Sequence, residues 1–156
     1  MFQSTRENVR TLSQALHPVV LEQEGLESAL DTYLPMFEKR TGIGIHYEKT
    51  GESRTVDALV AIHLYRVLQE ALNNVARHSR STHANVRLCF SPEAVVLEVE
   101  DDGIGFKQTT AVRGMGLVSM RERAEMMKGR IEFLGASGGG ALVRLTVPVS
   151  SGAAHA

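Results

Sequence analysis

Apolar residues recur along this chain in two rhythms, one of three to four residues and one of two, and their succession predicts the elements. Leu26, Ala29, Leu30, Leu34 and Phe37 fall at three- and four-residue spacing, an amphipathic helix over 26–39 in which Pro35 introduces a kink or an early break. Upstream, residues 8–21 read as a helix that stops near His17-Pro18, because proline disfavours helical geometry in the residue before it. After Thr41-Gly42, Ile43, Ile45 and Tyr47 alternate with Gly44, His46 and Glu48 as a strand, and residues 50–53 form a turn. A long helix follows from about Asp57 to Ser79, with Leu64, Val67, Leu68, Ala71, Leu72 and Val75 as its buried stripe. Residues 85–90 and 95–100 alternate as two strands around a Ser91-Pro92-Glu93 turn. The stretch 102–116 is broken by glycines and lacks a sustained period, so it is expected to be loop. Then come a helix over 117–127, a strand over 130–134, a glycine turn at 137–140, a closing strand over 142–149, and a small, polar tail expected to fray. This order predicts an α+β fold, a two-layer α/β sandwich whose mixed sheet is covered on one face by helices. A doubly wound fold would need strands alternating regularly with helices.

Composition narrows this without changing it. A chain of 156 residues, 43% hydrophobic and 22% charged, fits one globular domain. The net charge of -1 supplies no basic field for a nucleic acid or a membrane surface. The single cysteine, Cys89, excludes an internal disulfide, suits a reducing cytosol, and is expected at a buried strand position. The stretch MFQSTRENVR has no apolar core and does not read as a signal peptide, and no apolar run approaches the roughly 18 residues a membrane span needs.

The chemistry gathers in four places. Glu70, Asn74, Arg77 and His78 follow one another at spacings of four, three and one on the long helix, so a single face offers carboxylate, amide, guanidinium and imidazole. Such a face suits a metal-bound polyphosphate, with Asn74 giving Mg²⁺ a hard oxygen, Arg77 meeting phosphate oxygens, and Glu70 orienting or deprotonating a nucleophile. Taken alone, a solvated helix face with a chance Glu–Asn pair is the commoner explanation. Next, a strand ends in Asp101-Asp102 and runs into Gly103-x-Gly105. A carboxylate fixed there can accept the amino hydrogens of adenine, although Asp-Gly pairs are often simple turns. Third, Gly114-Met115-Gly116 precedes Leu117 and the helix behind it, where main-chain N–H groups make a phosphate seat; residues 107–113 between the two glycine groups suit a mobile lid. Fourth is Gly138-Gly139-Gly140, otherwise a hairpin turn.

Taken in order, these pieces resemble a known family. E-A-L-N-N-x-x-R-H resembles the N box, D-D-G-I-G-F the first glycine box and G-M-G-L the second of the histidine-kinase ATPase superfamily with the Bergerat fold. That superfamily also holds DNA gyrase, mismatch-repair ATPases and heat-shock chaperones. The segment G-L-V-S-M-R-E-R-A-E-M-M-K-G resembles sensor histidine kinases of the nitrate-sensor type, which partner response regulators with helix-turn-helix outputs. The stretch from Leu12 to Leu30 resembles the end of their dimerisation domain and its linker, and the short lid and absence of an intervening phenylalanine box agree. The resemblance covers about Leu12 to Pro148. It implies the end of a dimerisation helix and linker over 1–25, an ATP-binding catalytic domain over 26–149 and a disordered tail over 150–156.

The resemblance further implies ATP and Mg²⁺ as cofactors, with Asn74 coordinating Mg²⁺, Asp101 binding adenine, and Glu70 as base or orienter of the attacking group. Arg77 and His78 approach the phosphates, while Gly103, Gly105, Gly114, Gly116, Leu117 and Ala141 belong to the nucleotide site. Two positions depart from the pattern: Ala141 stands where threonine is frequent, and Lys128 where glycine is common. In these kinases an acidic residue follows the phosphoacceptor histidine, and none of His17, His46, His63, His78, His83 and His155 meets that condition. The expectation is therefore a monomeric, cytoplasmic C-terminal piece of a homodimeric kinase, able to bind ATP but not to phosphorylate itself. Three alternatives stay open: a clamp-type ATPase of the same superfamily, a nucleotide-sensing or interaction module without turnover, and an anti-sigma-factor serine kinase.

Overall fold

The computed structural model describes residues 19–103, 110–136 and 139–149; for 19, 20, 22, 78, 79 and 110–116 it describes the main chain alone. A short helix α1 (Val19–Glu24) leads into α2 (Leu26–Thr41), strand β1 (Gly44–Thr50) and helix α3 (Ala58–Asn74). A π-helical turn (Val75–Ser79) continues α3, and then come β2 (His83–Phe90), β3 (Ala94–Asp101), α4 (Thr110–Met126), β4 (Arg130–Gly135) and β5 (Ala141–Pro148). Of the helix expected over 8–21, residues 19–21 fall in α1, and the rest, like the tail, lies outside the described residues.

The five strands form one sheet in the order β1-β2-β3-β5-β4. β1 and β2 run parallel, joined by the α3 crossover such a pair requires, and every other pairing is antiparallel. Along β2 and β3 burial alternates residue by residue, so Val86, Leu88 and Phe90, with Val95, Leu97 and Val99, face one side. Against that side pack Leu30, Leu34 and Phe37 of α2, Leu64, Leu68 and Leu72 of α3, and Leu117, Met120 and Ala124 of α4. Each large side chain removed from water here contributes about 1.5–3 kcal/mol, enough to fix which face of every strand looks inward. The two-layer α+β sandwich read from the periodicities is the one observed.

Two local expectations need correction, and at Pro35 the early break, one of the two outcomes expected there, does not occur. Helix α2 runs through Pro35 to Thr41 without a break. Proline forfeits one intrahelical hydrogen bond, but the stripe of Leu30, Leu34 and Phe37 continues across it, and that burial outweighs the loss. Helix α4 begins at Thr110, within the stretch expected to be loop, so Gly114 and Gly116 lie inside it. A glycine costs a helix interior only about 1 kcal/mol, too little to halt propagation between Thr110 and Leu117. Cys89 is half-buried on the outer face of β2, because the inward positions belong to Leu88 and Phe90.

The helix ends follow local chemistry. Asp57 caps α3, its Oδ2 accepting from the Leu59 N–H at 3.2 Å. Gly42 closes α2 at φ 80, its N–H donating to the Glu38 carbonyl. Lys128 closes α4 at φ 58, a left-handed geometry in which glycine is favoured. No helix among the described residues is long and apolar enough to cross a membrane.

Candidate functional site

The inward rhythm of β3, Val95, Leu97 and Val99, ends on a charged residue. Asp101 takes the next inward position and is 7% exposed. An ionised carboxylate at such a depth costs several kcal/mol unless hydrogen-bonded, and Asp101 is: Oδ1 accepts from the Gly103 N–H at 2.8 Å and the Ala141 N–H at 3.3 Å. Oδ2 has no partner among the described residues. The residue before Ala141 makes this seat possible, since a Cβ on Gly140 would lie 2.0 Å from the Asp101 carbonyl oxygen and 2.9 Å from Oδ1. Gly140 was legible only as part of a hairpin turn; what it faces follows from β5 pairing with β3.

Asp102 turns to the opposite side. Its Oδ1 accepts from the main-chain N–H of Thr82 at 3.2 Å and of His83 at 3.4 Å. Burial raises its pKa, but these main-chain donors outweigh that and hold it below the ordinary carboxylate value.

Glu70 and Asn74 lie four residues apart near the end of α3, half-buried on one face, with Ala71 and Leu72 turned into the core. Past Asn74 the helix widens into the π turn, so the single-face expectation does not extend in α-helical register to Arg77 and His78. Arg77 is exposed, and Arg80 ends the turn in left-handed geometry at φ 59. The side chain of His78 lies outside the described residues, as do Gly105, Gly138 and lid residues 107–109. Of α4's main-chain N–H groups, those free of intrahelical partners are in its first turn from Thr110, ahead of Gly114 and Gly116 where the seat was expected. Leu117 faces the core.

Helices α3 and α4 also meet at a polar seam. Arg123 of α4 approaches His63 of α3, Nη1 to Nδ1, at 3.1 Å. Burial, then the positive charges of Arg123 and Arg66, lower the His63 pKa, so Nδ1 is an acceptor for Arg123 at neutral pH. Among the described residues no group of three or more His, Cys, Asp and Glu side chains is arranged to hold a metal. A cleft of roughly 780 Å³ opens elsewhere, between Leu21–Leu26, Ser53–Ala58 and Phe90. Phe90 is at the other end of β2 from His83, so the cleft is remote from Asp101.

Residues 59–151 match the family described as histidine kinase-, DNA gyrase B-, and HSP90-like ATPase. The chain is 34% identical over 146 residues to the oxygen sensor histidine kinase NreB of Staphylococcus carnosus, covering 92% of this chain and 42% of that one. It is 30% identical over 152 residues to the histidine-protein kinase/phosphatase DegS of Brevibacillus brevis, covering 97% and 39%. The chain thus spans about two fifths of the length of these relatives. In structure it is similar to a blue-light activated histidine kinase of Erythrobacter litoralis, with a TM-score of 0.70, 21% identity, and coverage of 97% of this chain and 51% of the other. It is similar also to the ATP binding domain of PrrB from Mycobacterium tuberculosis, with a TM-score of 0.62, 18% identity, and coverage of 80% and 93%.

Proposed function

Because the chain belongs to the histidine kinase-, DNA gyrase B- and HSP90-like ATPase family, we propose that it is the ATP-binding catalytic domain of a two-component sensor histidine kinase. The observation that carries this reading is the Asp101 seat: a nearly buried carboxylate with one oxygen committed to two main-chain N–H groups and the other without a partner among the described residues. An acceptor so placed selects a base with an exocyclic amino group, and adenine meets that condition.

Glu70 and Asn74 supply the other end. The Asn74 side-chain oxygen is a hard donor on a half-buried helix face. We take the other ligands of the cation it would hold to be phosphate oxygens and water. That donor set fits Mg²⁺, which Asn74 would help to hold and which would supply positive charge against the charge developing during transfer. We assign Arg77, exposed on the π turn, to the phosphate oxygens, and His78 to the same end. Glu70 orients the acceptor imidazole or takes its proton, while the γ-phosphorus exchanges its bond to the bridging oxygen for one to a ring nitrogen. Gly103 and the glycines at 105, 114 and 116 admit close approach of main chain to nucleotide.

None of the six histidines precedes an acidic residue, so the acceptor is assigned to a dimerisation domain of the parent homodimer. From there the phosphoryl group passes to a response regulator with a helix-turn-helix output. A monomeric state for this chain and a cytoplasmic setting belong to the same reading.

Calorimetric titration with a non-hydrolysable ATP analogue tests it. Saturable binding is expected, weakened when Mg²⁺ is withheld and lost, by about a hundredfold or more, in Asp101→Asn. Binding indifferent to both changes would remove the proposal.

A further inference from the structure

The β2–β3 ladder ends at the pair Ala84 and Asp101, and beyond it the two chains would be free to part. Asp102 prevents that. Its Oδ1 holds the N–H groups of Thr82 and His83 at 3.2 and 3.4 Å, its Oδ2 accepts from the Thr82 hydroxyl at 3.4 Å, and His83 Nδ1 stands 3.8 Å from Oδ2. Thr82 is gripped from the other side as well, its carbonyl accepting from the Gly44 N–H at 3.0 Å. One carboxylate therefore joins the end of β3 to the start of β2 and, through Thr82, to the start of β1.

Thr82 lies two residues past Arg80, where the π turn carrying Arg77 and His78 ends at φ 59. A non-glycine residue in that conformation is held there by its surroundings rather than by its own preference. Asp102 is also adjacent in sequence to Asp101, whose inward carboxylate sits in the seat described above. The two aspartates thus divide the work by the alternation of a strand, one facing the ligand side and the other clamping the exit of α3.

We propose that Asp102 is a positioning residue: it fixes the π turn bearing Arg77 and His78 relative to Asp101, and so sets the span over which a nucleotide's base and phosphates are held together. This rests on the nucleotide reading of the site. An Asp102 side chain 53% exposed to water adds little to stability by burial; what its four contacts do is remove freedom between two segments that must act on one ligand.

Calorimetry with two ligands, adenosine and a non-hydrolysable ATP analogue in Mg²⁺ buffer, separates this role from simple stabilisation. In Asp102→Ala the analogue should weaken about tenfold while adenosine changes less than about twofold, because base capture by Asp101 survives and the phosphate end is misplaced. Asp102→Asn keeps an acceptor oxygen for Thr82 and His83 and should restore analogue affinity to within about threefold of wild type. Asp102→Glu keeps the charge but moves the oxygens by one carbon; it should repeat the alanine pattern, and it is the variant to read if Asp102→Ala does not fold. A role confined to stability would lower the unfolding midpoint and leave the ratio of the two affinities unchanged, which overturns the proposal, as does equal loss for both ligands. Failure of the wild-type protein to bind either ligand would instead overturn the nucleotide reading, and this role with it.

Discussion

The carboxylate of Asp101 is held by residues far from it in sequence, and the tightest restraint is a missing side chain. Gly140 brings main chain so close that a methyl group there would lie 2.0 Å from the Asp101 carbonyl oxygen, inside any tolerable contact. Gly140→Ala must therefore push β5 away from β3 or turn Asp101 out of its seat. Overpacking of this kind costs about 1–3 kcal/mol, and nucleotide affinity should fall at least about tenfold. A thermal melt and a calorimetric titration check both; unchanged affinity would mean that the Asp101 seat is not where the base binds. The type of residue at this site was readable in the sequence, since D-D-G-I-G-F announces a carboxylate at a strand end beside flexible main chain. Its partners were not, because Gly140 and Ala141 arrive through the β3–β5 pairing some forty residues later. The structure also changes the meaning of Ala141: its contact with Asp101 is made by the main-chain N–H, which any residue but proline would supply. Lys128 is the reverse case, a position where the family's usual glycine would suit φ 58 better than the lysine present.

At the scale of elements, the sheet has a second face that no helix among the described residues covers, and one row of paired positions crosses it. Glu48, Arg87, Glu98, Arg144 and Glu132 occupy neighbouring register positions on β1, β2, β3, β5 and β4, alternating in charge. Arg87 Nε donates to Glu98 Oε1 at 2.7 Å and Arg144 Nε to Glu98 Oε2 at 2.8 Å, so Glu98 is the shared acceptor at the centre. Its burial raises its pKa, but the hydrogen bonds from Arg144 and Arg87 outweigh that and lower it. Glu98→Gln leaves two guanidinium groups facing a neutral amide on partly buried surface, and should cost about 1.5–3 kcal/mol at pH 7. The difference should shrink on acidification to about pH 3, below the ordinary glutamate value, as the lowered carboxyl of the folded wild type begins to take its proton. Chemical denaturation of both proteins at the two values measures it, and an equal difference at both would refer the effect to packing rather than charge. Period-two alternation was enough to tell inward from outward residues on these strands. It could not reveal the row, because charge pairs across strands depend on strand order, and β5 inserts itself between β3 and β4. The start of α4 and the continuity of α2 escaped for a related reason: glycine and proline mark local preference, whereas the length of a helix is decided by what it buries.

The molecule as a whole carries opposed titrations on either side of neutrality. Burial, then Arg123 and Arg66, lower the pKa of His63, so the folded protein resists a proton that the unfolded chain accepts near pH 6.5. Below that value the unfolded state binds more protons, and stability must fall as pH falls. Glu98 and Asp102, both lowered, add a further loss below about pH 4. On the alkaline side, burial pushes Tyr47 up to about 12, with Asp31 and Glu27 adding to the shift. Tyr33 and Tyr65 are also raised by burial. The unfolded chain then loses protons first, from about pH 10, and stability falls as pH rises through that window. A plateau between about pH 7 and pH 10 is expected. His63 lies in the seam between α3 and α4, so the acid limb reports on how these two helices are joined. Protonating it sets a third positive charge beside Arg66 and Arg123 and removes the acceptor that joins the helices. His63→Gln retains an acceptor for Arg123 and does not titrate, so its stability should stay flat from pH 7 to pH 5 where wild type declines. Denaturant midpoints across that range decide the matter: parallel slopes for the two proteins would place the acid sensitivity elsewhere. A flat variant whose nucleotide affinity also no longer drops at pH 5 would tie the α3–α4 seam to the geometry of the site.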